Sequence, residues 1–226
     1  MAIQENLSKI KSELSKNVKL VAVSKTKPDS DIMEAYTAGH KVFGENKVQE
    51  LVDKYDRLPK DIEWHFIGHL QSNKVKYLAP FVHLIHGVDS LKLLKEINKQ
   101  AVKNNRIIDC LLQFHIANEK AKFGFYKEEV FDLLQGDVFQ NFKNIRIVGV
   151  MGMATYTDDE NQIRNEFANL KSYFEEIKGK YLRDNSFSEL SIGMSADYKI
   201  AIEEGSTIIR LGSSIFGARF YSGFKI

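Results

Sequence analysis

Cysteine is nearly absent: Cys110 is the only one in 226 residues. That excludes an internal disulfide and any metal site built from several thiolates. Its surroundings, IIDCLLQF, read as the inside of a strand, so a buried thiol is expected there and not a nucleophile. Long apolar runs are missing too; none approaches the ~20 residues needed to cross a bilayer. Net charge is scarce, with 32 basic and 30 acidic residues interspersed to give +2. Without a basic run, nothing marks the chain as a binder of nucleic-acid phosphates. The opening MAIQENLSKIKSEL is polar, with Ile3, Leu7, Ile10 and Leu14 at spacings of three and four, so an amphipathic helix is expected and not a signal peptide. No Gly/Ser-rich linker or shift of composition divides the chain, and residues 1–226 are expected to form one domain. These absences leave a cytoplasmic globular protein, of ordinary hydrophobic (43%) and charged (27%) content.

What is present is alternation. Apolar, β-branched runs predict strands at 20–23, 41–43, 63–67, 82–86, 107–116, 145–151, 190–192 and 207–211. Amphipathic stretches predict helices at 3–15, 29–38, from about 46 to 55, and at 72–78, 91–103, 127–134, 160–181 and 196–204. Asp29 or Ser30 is the expected cap of the second helix and Gly39 its stop. Eight strands alternating with helices fit a (β/α)8 barrel with an extra N-terminal helix. A doubly wound sheet is the alternative, but the segment after the first strand, VSKTKP, lacks a Gly-rich dinucleotide fingerprint.

In a barrel every strand end opens into one mouth, where ligand chemistry is usually found. Lys25 ends the first strand. The segments after strands seven and eight, Gly193-Met194-Ser195 and Gly212-Ser213-Ser214, are small residues ahead of helices, where free backbone amides can meet a phosphate. A lysine with such a cradle across the mouth suggests a phosphorylated carbonyl compound held as a Schiff base. Plainer readings stand beside this one. The glycines and serines can mark turns alone, Asn46 can be the N-cap of the third helix, and Lys25 can merely end a strand. His65 alternates with Trp64 and Phe66 and reads as a packed, hydrogen-bonded histidine. The six histidines show no metal-ligand spacing. Met151, Met153 and Met194 read as barrel lining, and Glu203 and Glu204 as a solvated helix end.

The segments AVSKTKP, FGENKVQE, WHFIGHLQSNK, SIGMSADYKIAIEEGST and IRLGSSIFGAR resemble the YggS/PROSC family of pyridoxal phosphate (PLP) homeostasis proteins, from about Leu20 to Tyr221. His69 stands where many relatives have proline. The resemblance implies the barrel of alanine racemase without its second, β-rich domain, for which a chain ending at Ile226 is expected to have no room. It implies PLP held covalently on Lys25 as a Schiff base, and Arg210 facing the pyridine nitrogen. It also implies Gly212, Ser213 and Ser195 at the phosphate and Asn46 beside the ring. The function it implies is storing or handing on PLP in intracellular PLP and amino-acid homeostasis, without robust catalysis. Apo-enzymes are then possible recipients, and a monomer is expected. A PLP-dependent amino-acid racemase is the alternative. An arginine at the ring nitrogen only donates, which weakens the ring as an electron sink. No proton-transfer partner opposite Lys25 is identifiable.

Overall fold

Eight parallel strands follow one another around a closed barrel in chain order. The structure, a computed structural model, describes residues 3–118, 123–183 and 185–217. The strands are β1 (Lys19–Val23), β2 (Val42–Glu45), β3 (Glu63–Phe66), β4 (Leu84–Val88), β5 (Ile108–Gln113), β6 (Ile145–Met151), β7 (Glu189–Ser191) and β8 (Ile208–Leu211). The helices are α1 (Ile3–Glu13), α2 (Asp29–Thr37), α3 (Val48–Arg57), α4 (Val75–Leu78), α5 (Leu91–Lys103), α6 (Lys127–Gln135), α7 (Asp137–Gln140), α8 (Glu160–Lys180), α9 (Tyr198–Glu203) and α10 (Ser213–Phe216), with a 3₁₀ turn at Ser72–Lys74. Closure of β1 on β8, with Val21 opposite Arg210 and Ala22 opposite Leu211, excludes the doubly wound sheet.

The alternation of each strand sorts its side chains between two apolar layers. Residues such as Ala22, Phe43, Trp64, Phe66, Leu112 and Val150 face the helices and form the larger core. Val21, Leu84, Leu111, Val148, Met151 and Ile208 fill the barrel interior. At the N-terminal end of the barrel the lining is charged. Arg146 grips Asp109 through two bonds of 2.7 and 2.8 Å, and Lys19 lies 3.7 Å from Glu189.

Several local expectations are corrected. Pro28 occupies the N-cap of α2, with no side-chain cap; Asp29 instead binds Arg57 at 2.6 and 3.0 Å. Ala38 is the C-cap, and Gly39 follows it at φ +78°, the conformation that suits glycine. α7 went unforeseen, and the fifth strand is shorter than its expected run because beyond Gln113 the chain turns to pair with Phe125 through an isolated bridge. Met194 is exposed, unlike Met151 and Met153, which line the barrel. Glu203 and Glu204 are not merely solvated: both accept from Arg164, at 2.6 and 2.7 Å. Cys110 is fully buried, and burial pushes its thiol well above the ordinary range, so it is inert as a nucleophile. Ala218 and Arg219 of the last motif, and Tyr221, lie outside the described residues.

Candidate functional site

Lys25 is the first residue past Ser24 at the end of β1, partly buried, and both of its flanks are fixed. Ser24 donates its amide to the Gly44 carbonyl (3.1 Å) and its hydroxyl to Glu45 Oε1 (2.6 Å). Its own carbonyl accepts from Lys54 Nζ at 2.8 Å. On the other side the Thr26 amide donates to Glu50 Oε1 at 2.6 Å. Lys27 Nζ reaches the Phe216 carbonyl at 2.9 Å. Thr26 itself sits at φ +65°, a left-handed conformation that a β-branched residue adopts only when its surroundings impose it. These bonds are the surroundings.

The source of that rigidity is a buried ion cluster. Lys54 bridges Glu45 (2.8 Å) and Glu50 (2.7 Å), and its side chain and that of Glu45 are 3% and 0% exposed. Burial raises the Glu45 carboxyl above its ordinary value, and the contact with Lys54 opposes this. None of Glu45, Glu50 and Lys54 was foreseen as part of the site. The i,i+4 pair Glu50–Lys54 looks like a solvated helix face, and only the packing of α3 against the ends of β1 and β2 buries it.

Beside Lys25 lie the ends of β8 and β7. β8 is its neighbour in the sheet and β7 the strand beyond, where the sequence had suggested the far side of the mouth. Gly193, at φ +96°, turns the chain out of β7, and an added Cβ there would come within 2.7 Å of Ala201 Cβ. The Met194 amide donates to Asp197 Oδ1 at 2.6 Å, which shapes the loop. Ser195 Oγ accepts from the Gly212 amide at 3.2 Å, so these two expected phosphate groups are joined to each other. Ser213 and Ser214 open α10, where their amides have no partner inside the helix. Ser213 is exposed at the mouth.

Asn46 follows β2, and the N-cap of α3 is Lys47, so the capping role for Asn46 is set aside. It packs against the end of β3: a Cβ added to Gly68 would lie 2.5 Å from the Asn46 carbonyl oxygen. Lys25, Asn46, Ser195, Arg210, Gly212 and Ser213 thus come from four consecutive strands, β7, β8, β1 and β2. On other strands, past β3 and β4, His69 Nδ1 pairs with Asp89 Oδ2 at 2.9 Å, and the Phe123 ring stacks on His69 with centroids 3.8 Å apart.

Arg210 is 4% exposed and is held by carbonyls and a hydroxyl. Nη1 donates to the Ser191 carbonyl (2.9 Å) and Ser191 Oγ (2.5 Å), and Nη2 to the Gly152 carbonyl (3.1 Å). A guanidinium has five N–H donors, so Nε–H and one Nη2–H are left over. Burial lowers its pKa to about 10, opposed by Asp197, which leaves it charged at neutral pH. From Ser191 a polar string runs down the barrel: Oγ lies 3.0 Å from His86 Nδ1, and His86 Nε2 lies 2.9 Å from His65 Nδ1. Burial holds both imidazoles well below the ordinary histidine value, hence neutral. His65 is therefore packed and hydrogen-bonded as expected on one nitrogen, while its Nε2 has no partner among the described residues. A buried cation with spare donors beside a lysine and free helix-start amides suits a planar, anionic ligand with a basic ring nitrogen. PLP has those features.

Residues 1–220 match the family model of the alanine racemase N-terminal domain. The pyridoxal phosphate homeostasis protein of Aquifex aeolicus is 41% identical, with 90% of this chain and 88% of that one aligned. That of Pasteurella multocida is 38% identical, over 98% and 100% of the two chains. Among solved structures, PipY of Synechococcus elongatus PCC7942 superposes with a TM-score of 0.90 without PLP and 0.85 with PLP bound. It is 33% identical and covers 95% of this chain and 100% of its own. An alanine racemase of Clostridium difficile 630 shares the fold alone, at 14% identity and TM-score 0.79, covering 98% of this chain and 57% of that one.

Proposed function

Because this chain belongs to the family of pyridoxal phosphate homeostasis proteins, on the alanine racemase N-terminal-domain barrel, we propose that it binds PLP at the barrel mouth and holds it covalently through Lys25. PLP would supply an aldehyde that takes up an amine and a ring that can accept electrons. The observation that carries the reading is Arg210: a buried guanidinium with donors to spare, one strand away from Lys25. It donates to the ring nitrogen and leaves that nitrogen unprotonated. Ser195, Ser213 and the amides opening α10 take the phosphate, and Asn46 borders the ring. The clamp around Ser24 and Thr26 keeps the Lys25 amine in place. With this charge pattern the site binds its cofactor firmly and activates it weakly. The chain acts as one cofactor-holding unit, a monomer in the cytoplasm, that releases PLP to apo-enzymes. Its single buried cysteine is consistent with a reducing compartment.

The test is absorbance of the PLP-loaded protein before and after borohydride, followed by peptide mapping. Reduction should fix the cofactor on Lys25, and Lys25→Ala should abolish the covalent adduct while retaining some PLP through phosphate contacts. A label on Lys27, Lys47 or Lys74 would refute the assignment.

A further inference from the structure

The opposite end of the barrel carries a second group of ligating side chains. Glu63 and His65 lie on β3, and His83 just precedes β4. One ligand atom of each lies within 4.8 Å of the others. His83 Nε2 is already 3.5 Å from Glu63 Oε2, and the imidazoles of His65 and His83 are parallel, 5.5 Å apart. His65 is fully buried, its Nδ1 is taken by His86, and the nitrogen that remains, Nε2, has no partner among the described residues. An orphaned nitrogen in a buried side chain costs stability unless something satisfies it. Its ring is also fixed from behind by a hydrogen bond on the other nitrogen, as ligating histidines usually are.

We propose that Glu63, His65 and His83 bind one divalent transition metal ion of the Zn²⁺ class. Two imidazole nitrogens and one carboxylate oxygen select such an ion over Mg²⁺ or Ca²⁺, which prefer all-oxygen shells. Tetrahedral coordination at Zn–N and Zn–O lengths of about 2.0–2.1 Å puts ligand atoms roughly 3.3 Å apart. His65 stays still, and the two exposed side chains, Glu63 (44%) and His83 (48%), turn inward by an ångström or so, on the order of a rotamer adjustment. Water completes the shell. The local charges favour this: Lys19 and Arg146 are matched by Glu189 and Asp109, whereas Glu63, among the described residues, has only the His83 imidazole at ion-pair distance. His83 also lines a cavity of about 250 Å³ at this end, which gives an ion a path from solvent. Ligation through Nε2 fixes the proton of His65 on Nδ1, donating to His86 Nε2, so His86 in turn donates from Nδ1 to Ser191 Oγ. The direction of the whole string is then set from the bottom of the barrel.

The test uses tag-free, chelator-stripped protein titrated with Zn²⁺ by calorimetry and with Co²⁺ by visible absorption, Mg²⁺ serving as the comparison. One ion per chain is expected, with a Co²⁺ ligand-field band, and no comparable response to Mg²⁺. The variants Glu63→Gln and His83→Ala should each weaken Zn²⁺ binding by at least about tenfold. Both positions are exposed, so the fold should survive. Because His65 is buried, its part is read in the unaltered protein from its imidazole ¹⁵N signals, where Zn²⁺ should move Nε2. Unchanged affinity in the Glu63→Gln, His83→Ala double variant would overturn the site. So would failure to bind Zn²⁺, or silent His65 signals on saturation.

Discussion

Lys54 donates to Glu45 at 2.8 Å with both side chains out of solvent, and the same ammonium holds the carbonyl of Ser24, the residue before Lys25. A buried ion pair adds little net stability, but removing one partner leaves an uncompensated charge. Lys54→Met should therefore cost about 3 kcal/mol or more by urea unfolding at pH 7. The Glu45→Leu, Lys54→Met pair should recover much of that. PLP affinity should not recover, because Ser24 O still lacks its donor. Equal PLP affinity in the double variant and the parent would remove the clamp from the binding account.

The single Lys54→Met variant also carries a pH signature. With the ammonium gone, burial and the neighbouring Glu50 charge act on Glu45 against the Ser24 hydroxyl bond alone, and its folded-state pKa rises further above the unfolded one. Between those two values the folded state binds more protons, so the variant loses stability as pH rises through the window. Unfolding midpoints should be higher at pH 5 than at pH 8 relative to the parent.

Ser195 and Ser213 supply hydroxyls worth about 0.5–1.5 kcal/mol each to a neutral partner and up to ~3 to a charged one. The Ser195→Ala, Ser213→Ala double variant should weaken PLP binding several-fold or more, measured by fluorescence titration. Loss of the Ser195 hydroxyl also frees the Gly212 amide, so Ser195→Ala alone should have the smaller effect. Parental affinity in the double variant would place the phosphate elsewhere.

The barrel was legible because eight apolar strand segments alternate with helical stripes, and because the strand-end residues recur in family motifs. Lys25 and Ser195 could be placed at the barrel mouth from their positions at strand ends, whereas Arg210 entered only through the family resemblance. What stayed hidden depends on contacts between separate elements. Lys54 is a charged residue of an amphipathic helix, and only the packing of α3 on the ends of β1 and β2 buries it. The Ser191–His86–His65 string has one member on each of three strands, and the spacing rules for metal ligands do not see His65 and His83, which adjacent strands bring together. Asn46 was misread as a possible cap because sequence cannot show that α3 begins one residue later than a cap at Asn46 requires.

Buried neutral histidines make the fold acid-sensitive. His40 is pulled down to about 4 by burial, with its Nε2 against the Val42 carbonyl at 2.8 Å, and His65 and His86 are lowered too. Their stabilisation is complete above the ordinary value of 6.5. As pH falls below it the unfolded chain takes up protons the folded one refuses, and stability is lost at up to about 1.4 kcal/mol per pH unit per histidine. His40→Gln keeps a donor for Val42 and cannot titrate. Its stability should fall less steeply between pH 6.5 and 5 than the parent's, by one proton's slope. Parallel curves would show that His40 does not contribute.

The last prediction concerns turnover. Arg210 stays protonated at neutral pH and can only donate, so a ring nitrogen set against it keeps its lone pair and withdraws electrons poorly. Racemisation or transamination of small amino acids by the PLP-loaded protein should be near background. Replacing Arg210 with glutamate to strengthen the electron sink would set a carboxylate against the Ser191 and Gly152 carbonyls, so that variant should unfold more readily before it activates anything. Arg210→Gln is the cleaner substitution: it keeps a donor, removes the charge, and should shift the cofactor's absorbance without raising turnover. The pair His69–Asp89 supplies an oriented imidazole at the mouth, and any residual turnover should fall further in His69→Ala. Steady multiple turnovers by the unaltered protein, abolished by Lys25→Ala, would show instead that the arginine does not limit the chemistry and that the protein is an enzyme.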